Sequence, residues 1–262
     1  MKLKHFLRES TQSDIKKLKG QGDLQKVYDE LIDMLRDKEY GDSMDFMQDL
    51  VKDPKLKFIL SLGFGGELAD VKLRLEKIVI PVYKLLPSQS EIGFGETLKY
   101  TCSGKNIEAC FSTPAIIKKP IVTFQRTFIV DGHHRWSEIY VSNPQAKVEC
   151  INIEGNLSPI SMLKAVQATI ASNIGTLNRK DIEGENLYDA SENEIKNYIE
   201  DHVDMGKLQK FYSDPVEELT KNCLKLKINN PPILGAPPRG DMPQTSKDPE
   251  LFKDLKKGVT DI

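Results

Sequence analysis

The spacing of hydrophobic positions changes several times along the chain, and each change predicts a different element. Ile15, Leu18, Val27, Leu31, Met34 and Leu35 recur at steps near three and four within a charged stretch, which predicts an N-terminal helical region over 1–75. Thr11 and Asp14 supply a capping box at its start. Residues 78–83, Ile-Val-Ile-Pro-Val-Tyr, form the clearest strand start, and 120–124 and 127–130 read as two further strands joined around Gln125 and Arg126. Phe128, Ile129 and Val130 then run into Gly132, after which Trp136, Ile139 and Tyr140 follow at helical spacing. Asn143 and Pro144 break that helix, and 147–153 alternates as a strand. Beyond Gly155 the period is helical again. Ser158 and Pro159 open one helix with Met162, Leu163, Val166 and Ile170 as its apolar stripe, Ser191 and Glu194 cap a second over 191–203, and Asp214 and Pro215 begin a third over 214–224.

This order predicts an α+β protein, a compact mixed sheet with helices against it, flanked by N-terminal and C-terminal helical regions. The expected divisions are 1–75 helical, 76–156 the mixed domain, 157–228 helical, and 229–262 a Pro-rich extended tail with a last short helix from Asp248 and Pro249. The stretch from Gly93 to Lys119 has no clean period, and reads equally as a loop closing over a ligand or as a surface excursion with a short helix. With 262 residues, 39% of them hydrophobic, the chain can bury a real core. Its formal net charge of −2 argues against a wholly basic nucleic-acid binder, although 37 Lys and Arg are enough for a local basic patch. Cys102, Cys110, Cys150 and Cys223 contain no Cys-x-x-Cys pair, and neither a secretory signal nor an apolar run near 18 residues is seen, so a reduced cytoplasmic protein away from any membrane is expected. Gly63-Phe64-Gly65-Gly66 has neither the preceding strand nor the Lys-Ser/Thr of a phosphate loop and reads as a loop between helices.

Candidate chemistry gathers in residues 124–136, Phe-Gln-Arg-Thr-Phe-Ile-Val-Asp-Gly-His-His-Arg-Trp, which hold two of the chain's four histidines. A strand ending at Asp131 and a helix beginning after Gly132 would place Asp131, His133, His134 and Arg135 at a helix N-terminus. Backbone N–H groups and the positive end of the helix dipole make such a turn an anion site, to which Arg135 adds a bidentate fork. Asp131 can hold a magnesium ion, accept a proton, or merely cap the helix. His134 suits acid–base duty, and Arg135 can alternatively pair with Glu138 three residues on.

The motif resembles the ParB/sulfiredoxin-like superfamily, in which a strand carries Gly-x-x-Arg into a helix and phosphate groups lie over the turn. Gly132-His133-His134-Arg135-Trp136 stands where partitioning ParB proteins have Gly-Glu-Arg-Arg-Trp. His133 occupies the position of the sulfiredoxin catalytic cysteine, which disfavours sulfiredoxin chemistry. Asp-Gly-His-His-Arg looks most like the branch with ADP-dependent free serine kinases and ParB-like nuclease proteins of bacteria and phages, and the resemblance spans roughly residues 77–155. It implies a nucleotide (ATP, ADP or CTP) with Mg2+, and phosphoryl transfer or phosphodiester hydrolysis with DNA or a small hydroxyl compound as acceptor. It also matches Glu91 to an acidic catalytic residue, whereas Ser88-x-x-Glu91 by itself reads as a capping box. Two other readings stay open: a nucleotide-dependent switch without turnover, and a phage virion-associated module that contacts a head protein through its helices and tail. For the last, Leu7-Arg8-Glu9 resembles the Leu-x-Glu tripeptide of phage head-protein leaders. Partitioning proteins carry a DNA-reading helix downstream, but Glu192, Glu194, Glu200, Asp201 and Asp204 make the corresponding region acidic.

Overall fold

The computed structural model describes residues 73–112, 114–115, 121–174 and 185–239. The leader, the capping box at Thr11, the glycine cluster at 63–66 and the final helix at Asp248 lie outside the described residues. The chain falls into two compact units, one formed by Glu76–Asn152 with Lys180–Gly240 and the other by Met1–Leu75, Ile153–Arg179 and Asp241–Ile262.

The described residues form an α+β structure with five strands and seven α-helices. The strands are β1 (Arg74–Pro81), β2 (Leu86–Pro87), β3 (Ile121–Phe124), β4 (Phe128–Asp131) and β5 (Lys147–Glu154), in the spatial order β1-β5-β3-β4-β2. The sheet is mixed, because β2 runs parallel to β4 while β3 and β4 form an antiparallel hairpin. Gln125 and Arg126 both take positive φ, 51° and 58°, the twist that a two-residue hairpin turn demands. Neither is glycine, and the turn is braced from outside: Arg126 N–H donates to Asn152 Oδ1 at 2.7 Å and its guanidinium grips Glu76.

The helices are α1 (Phe94–Cys102), α2 (Ile107–Phe111), α3 (His133–Ser142), α4 (Pro159–Ile174), α5 (Glu192–His202), α6 (Met205–Leu208) and α7 (Pro215–Asn229). Local signals explain several starts. Ser191 and Glu194 close the expected capping box, and Asp214 accepts from Glu217 N–H ahead of Pro215. The stretch without a clean period contains both α1 and α2. Within the larger unit, α3 packs on α1 and α7, and α5 closes the group against the same two helices. Leu98, Trp136, Tyr140, Ile195, Ile199, Leu219 and Cys223 therefore share one core with Val82, Ile129 and Val148 from the strand side. Each fully buried aliphatic side chain contributes about 1.5–3 kcal/mol. In the other unit, α4 follows a Ser158 whose hydroxyl accepts from Ser161 N–H at 3.1 Å. No helix among the described residues is long and apolar enough to cross a membrane.

The Pro-rich stretch, expected as an extended arm, instead packs back on this unit as far as it is described. Asn230 is fully buried and donates from Nδ2 to the carbonyls of Tyr83 and Leu85, both at 2.8 Å. Ile233 N–H donates to Pro87 O at 3.1 Å, and Ser90 N–H to Pro237 O at 3.0 Å.

Candidate functional site

β4 ends at Asp131, Gly132 turns with φ +94° and ψ 26°, and α3 begins at His133. Only glycine adopts this left-handed conformation without penalty. A Cβ here would also lie 2.8 Å from Arg135 Nη2, because the Arg135 side chain folds back over the turn. Its Nη2 donates to Asp131 Oδ2 at 2.8 Å, with both side chains about one-third exposed. Asp131 thus engages Arg135 rather than capping α3, whose N-cap Gly132 has no side chain to cap with, and Glu138 is held by Asn106 at 2.8 Å. Burial raises the Glu138 carboxyl above its usual range.

The two histidines diverge. His133 is 5% exposed and its Nε2 accepts from Ser88 N–H at 3.3 Å. His134 faces the start of α1, where its Nε2 lies 2.7 Å from Glu96 Oε2 and 3.1 Å from Gly93 N. One ring nitrogen cannot both accept from an amide and donate to a carboxylate. The carboxylate contact is shorter and charge-assisted, so it favours a proton on Nε2, which in the neutral ring leaves the lone pair on Nδ1. Nδ1 has no hydrogen-bond partner among the described residues.

The expected capping box at Ser88 and Glu91 does not form, since α1 starts only at Phe94 with Gly93 as its N-cap. The Ser88 hydroxyl donates across to Ile129 O, tying the loop to β4. Glu91 Oε2 instead accepts from Arg239 N–H at 2.8 Å. Two residues that the sequence reading passed over complete the cluster. Glu96 receives His134 and, at 3.2 Å, Arg239 Nη1. Glu96 carried one weak signal, an acidic residue three positions after a glycine that opens a helix. Arg239 carried none, being a single cation in a proline-rich stretch.

The hydrogen bond from His134, with the charges of His134 and Arg239, holds the Glu96 carboxyl down at about 2 against the opposing effect of burial. A depressed carboxyl stabilises the fold fully above its unfolded value of 4.5 and loses that contribution as pH falls toward 2. Glu96→Gln is accordingly expected to flatten the drop in melting temperature over that window, read from thermal melts at a series of acid pH values. An unchanged acid limb would show that the pair does not form.

Among the described residues no three His, Cys, Asp or Glu side chains group as a protein-made metal cage. Magnesium asks less: it commonly uses one or two carboxylates together with substrate phosphate oxygens and water. Asp131, at the mouth of the turn, meets that smaller requirement. No protein-family model matches the chain, and no curated protein or solved structure matches it significantly.

Proposed function

We propose that the Gly132 turn binds the phosphates of a nucleoside di- or triphosphate with magnesium, and that the site transfers or hydrolyses a phosphoryl or phosphodiester group. The observation that carries this reading is the left-handed Gly132 at the N-terminus of α3, with Arg135 folded over the turn and a carboxylate-oriented His134 beside it. The resemblance of Gly132-His133-His134-Arg135-Trp136 to ParB/sulfiredoxin-like proteins adds support at the same turn. In this reading Arg135 clamps phosphate, and His134 Nδ1 takes the proton of the attacking hydroxyl or water. The deprotonated oxygen forms the new P–O bond, and the P–O bond to the leaving group breaks, its electron pair going to the leaving oxygen of the nucleotide or alcohol, which takes up a proton from His134 or solvent. Magnesium held by Asp131 would neutralise phosphate charge, Glu91 would orient the acceptor beside Glu96, and His133 would hold the Ser88 loop in place.

Asp131 and Arg135 pair with each other, and this favours a second reading in which the turn is a staple of a non-catalytic switch or virion module. Thermal-shift titration of the full chain with ADP, ATP and CTP, each with and without magnesium, separates the two. Binding at about 100 times the dissociation constant stabilises by about 2.7 kcal/mol. A melting temperature unmoved by every nucleotide at millimolar concentration would leave the structural reading.

A further inference from the structure

The Pro-rich stretch after α7 reaches the site itself. Ile233 and Pro237 exchange backbone hydrogen bonds with Pro87 and Ser90, which fixes the chain direction just before Arg239. Arg239 N–H then meets Glu91, and its guanidinium meets Glu96. The Arg239 side chain is only 14% exposed, so this is a seated contact and not a passing surface pair. Glu96 is in turn the carboxylate on His134 Nε2. Arg239 lies 143 residues from Glu96, and nothing local selects the pairing.

We propose that Arg239 is a positioning residue: by holding the Glu96 carboxylate against His134 Nε2, it keeps the lone pair of the neutral His134 ring on Nδ1, as proton acceptor. A carboxylate held from one side by a guanidinium presents a fixed oxygen to the imidazole, and a fixed acceptor selects one tautomer. Without Arg239 the carboxylate rotates freely and Gly93 N–H competes for Nε2, which favours the opposite tautomer. The segment from Ile233 to Arg239 is then part of the site. As a step in a reaction this rests on the phosphoryl-transfer reading, but the tautomer is measurable in the ligand-free protein.

The test is long-range 1H–15N spectroscopy of the imidazoles in the full-length chain at about pH 9, where unperturbed histidine is neutral. His134 is assigned by the signals that disappear in His134→Gln. Wild type is expected to show a protonated Nε2 and a bare Nδ1. Arg239→Gln should draw the two nitrogen shifts toward a common average, whereas Arg239→Lys, which keeps a cation on Glu96, should retain most of the separation. Identical His134 shifts in wild type and Arg239→Gln would overturn the proposal. So would a wild-type His134 protonated at Nδ1, a result that does not depend on any Arg239 variant. The nucleotide titration stands apart: its failure with the expected tautomer intact removes the phosphate reading and leaves the positioning by Arg239.

Discussion

Trp136→Ala is expected to be the most destabilising substitution in the described unit, by about 3–5 kcal/mol, the range for emptying a large aromatic site in a core. Trp136 is fully buried, packs edge-on against Tyr140 with ring centroids 5.9 Å apart, and sits among residues from both the helices and the strand side. Its indole N–H donates to Val82 O at 2.9 Å, linking α3 to the turn after β1. Trp136→Phe separates the two contributions. It retains much of the packing, and Val82 O keeps a second donor in Leu85 N–H at 3.2 Å, so the hydrogen bond itself should account for only about 1 kcal/mol. Trp136 is the one tryptophan of the chain, so urea unfolding of both variants is followed by circular dichroism. A loss below about 1 kcal/mol in Trp136→Ala would mean that α3 is not central to the core.

Arg135→Ala and Asp131→Asn are expected to separate binding from turnover. Charge-assisted hydrogen bonds to phosphate contribute about 1.5–3 kcal/mol, which converts to roughly a 10- to 100-fold loss of nucleotide affinity in Arg135→Ala. The ligand-free fold should barely respond, because a partly exposed i,i+4 pair contributes about 1 kcal/mol or less. Asp131→Asn acts in the opposite sense on metal-free ligand: it removes a negative charge beside the phosphate and releases Arg135, so affinity without magnesium should rise. With magnesium, turnover should fall by about 100-fold or more, as expected when a metal-holding or proton-accepting carboxylate is lost. Calorimetric titration with and without magnesium, paired with product assays, reads both effects. Small and equal changes in the two variants would identify the pair as a structural staple.

The elements legible from sequence are those whose causes lie within about ten residues of one another. The turn from Phe128 to Trp136 is of this kind. A β-prone run, one glycine free to take positive φ and an apolar spacing of three to four select strand, turn and helix locally, and the structure has β4, Gly132 and α3 there. The helix starts at Ser191 and Asp214 are equally local, because a side chain three residues from its partner N–H needs no tertiary help. Ser88 and Glu91 show where local reasoning gives out. Their spacing suits a capping box, yet the Ser88 hydroxyl finds Ile129 O, 41 residues away, and Glu91 finds Arg239 N–H, 148 residues away. Tertiary packing decided those partners, because burying the loop beside β4 left its polar groups to be satisfied by whatever the fold brought near. The cluster of Glu96, His134 and Arg239 arises in the same way: the packing of α1 on α3 brings Glu96 to His134, and only the return of the chain after α7 adds Arg239 to the pair.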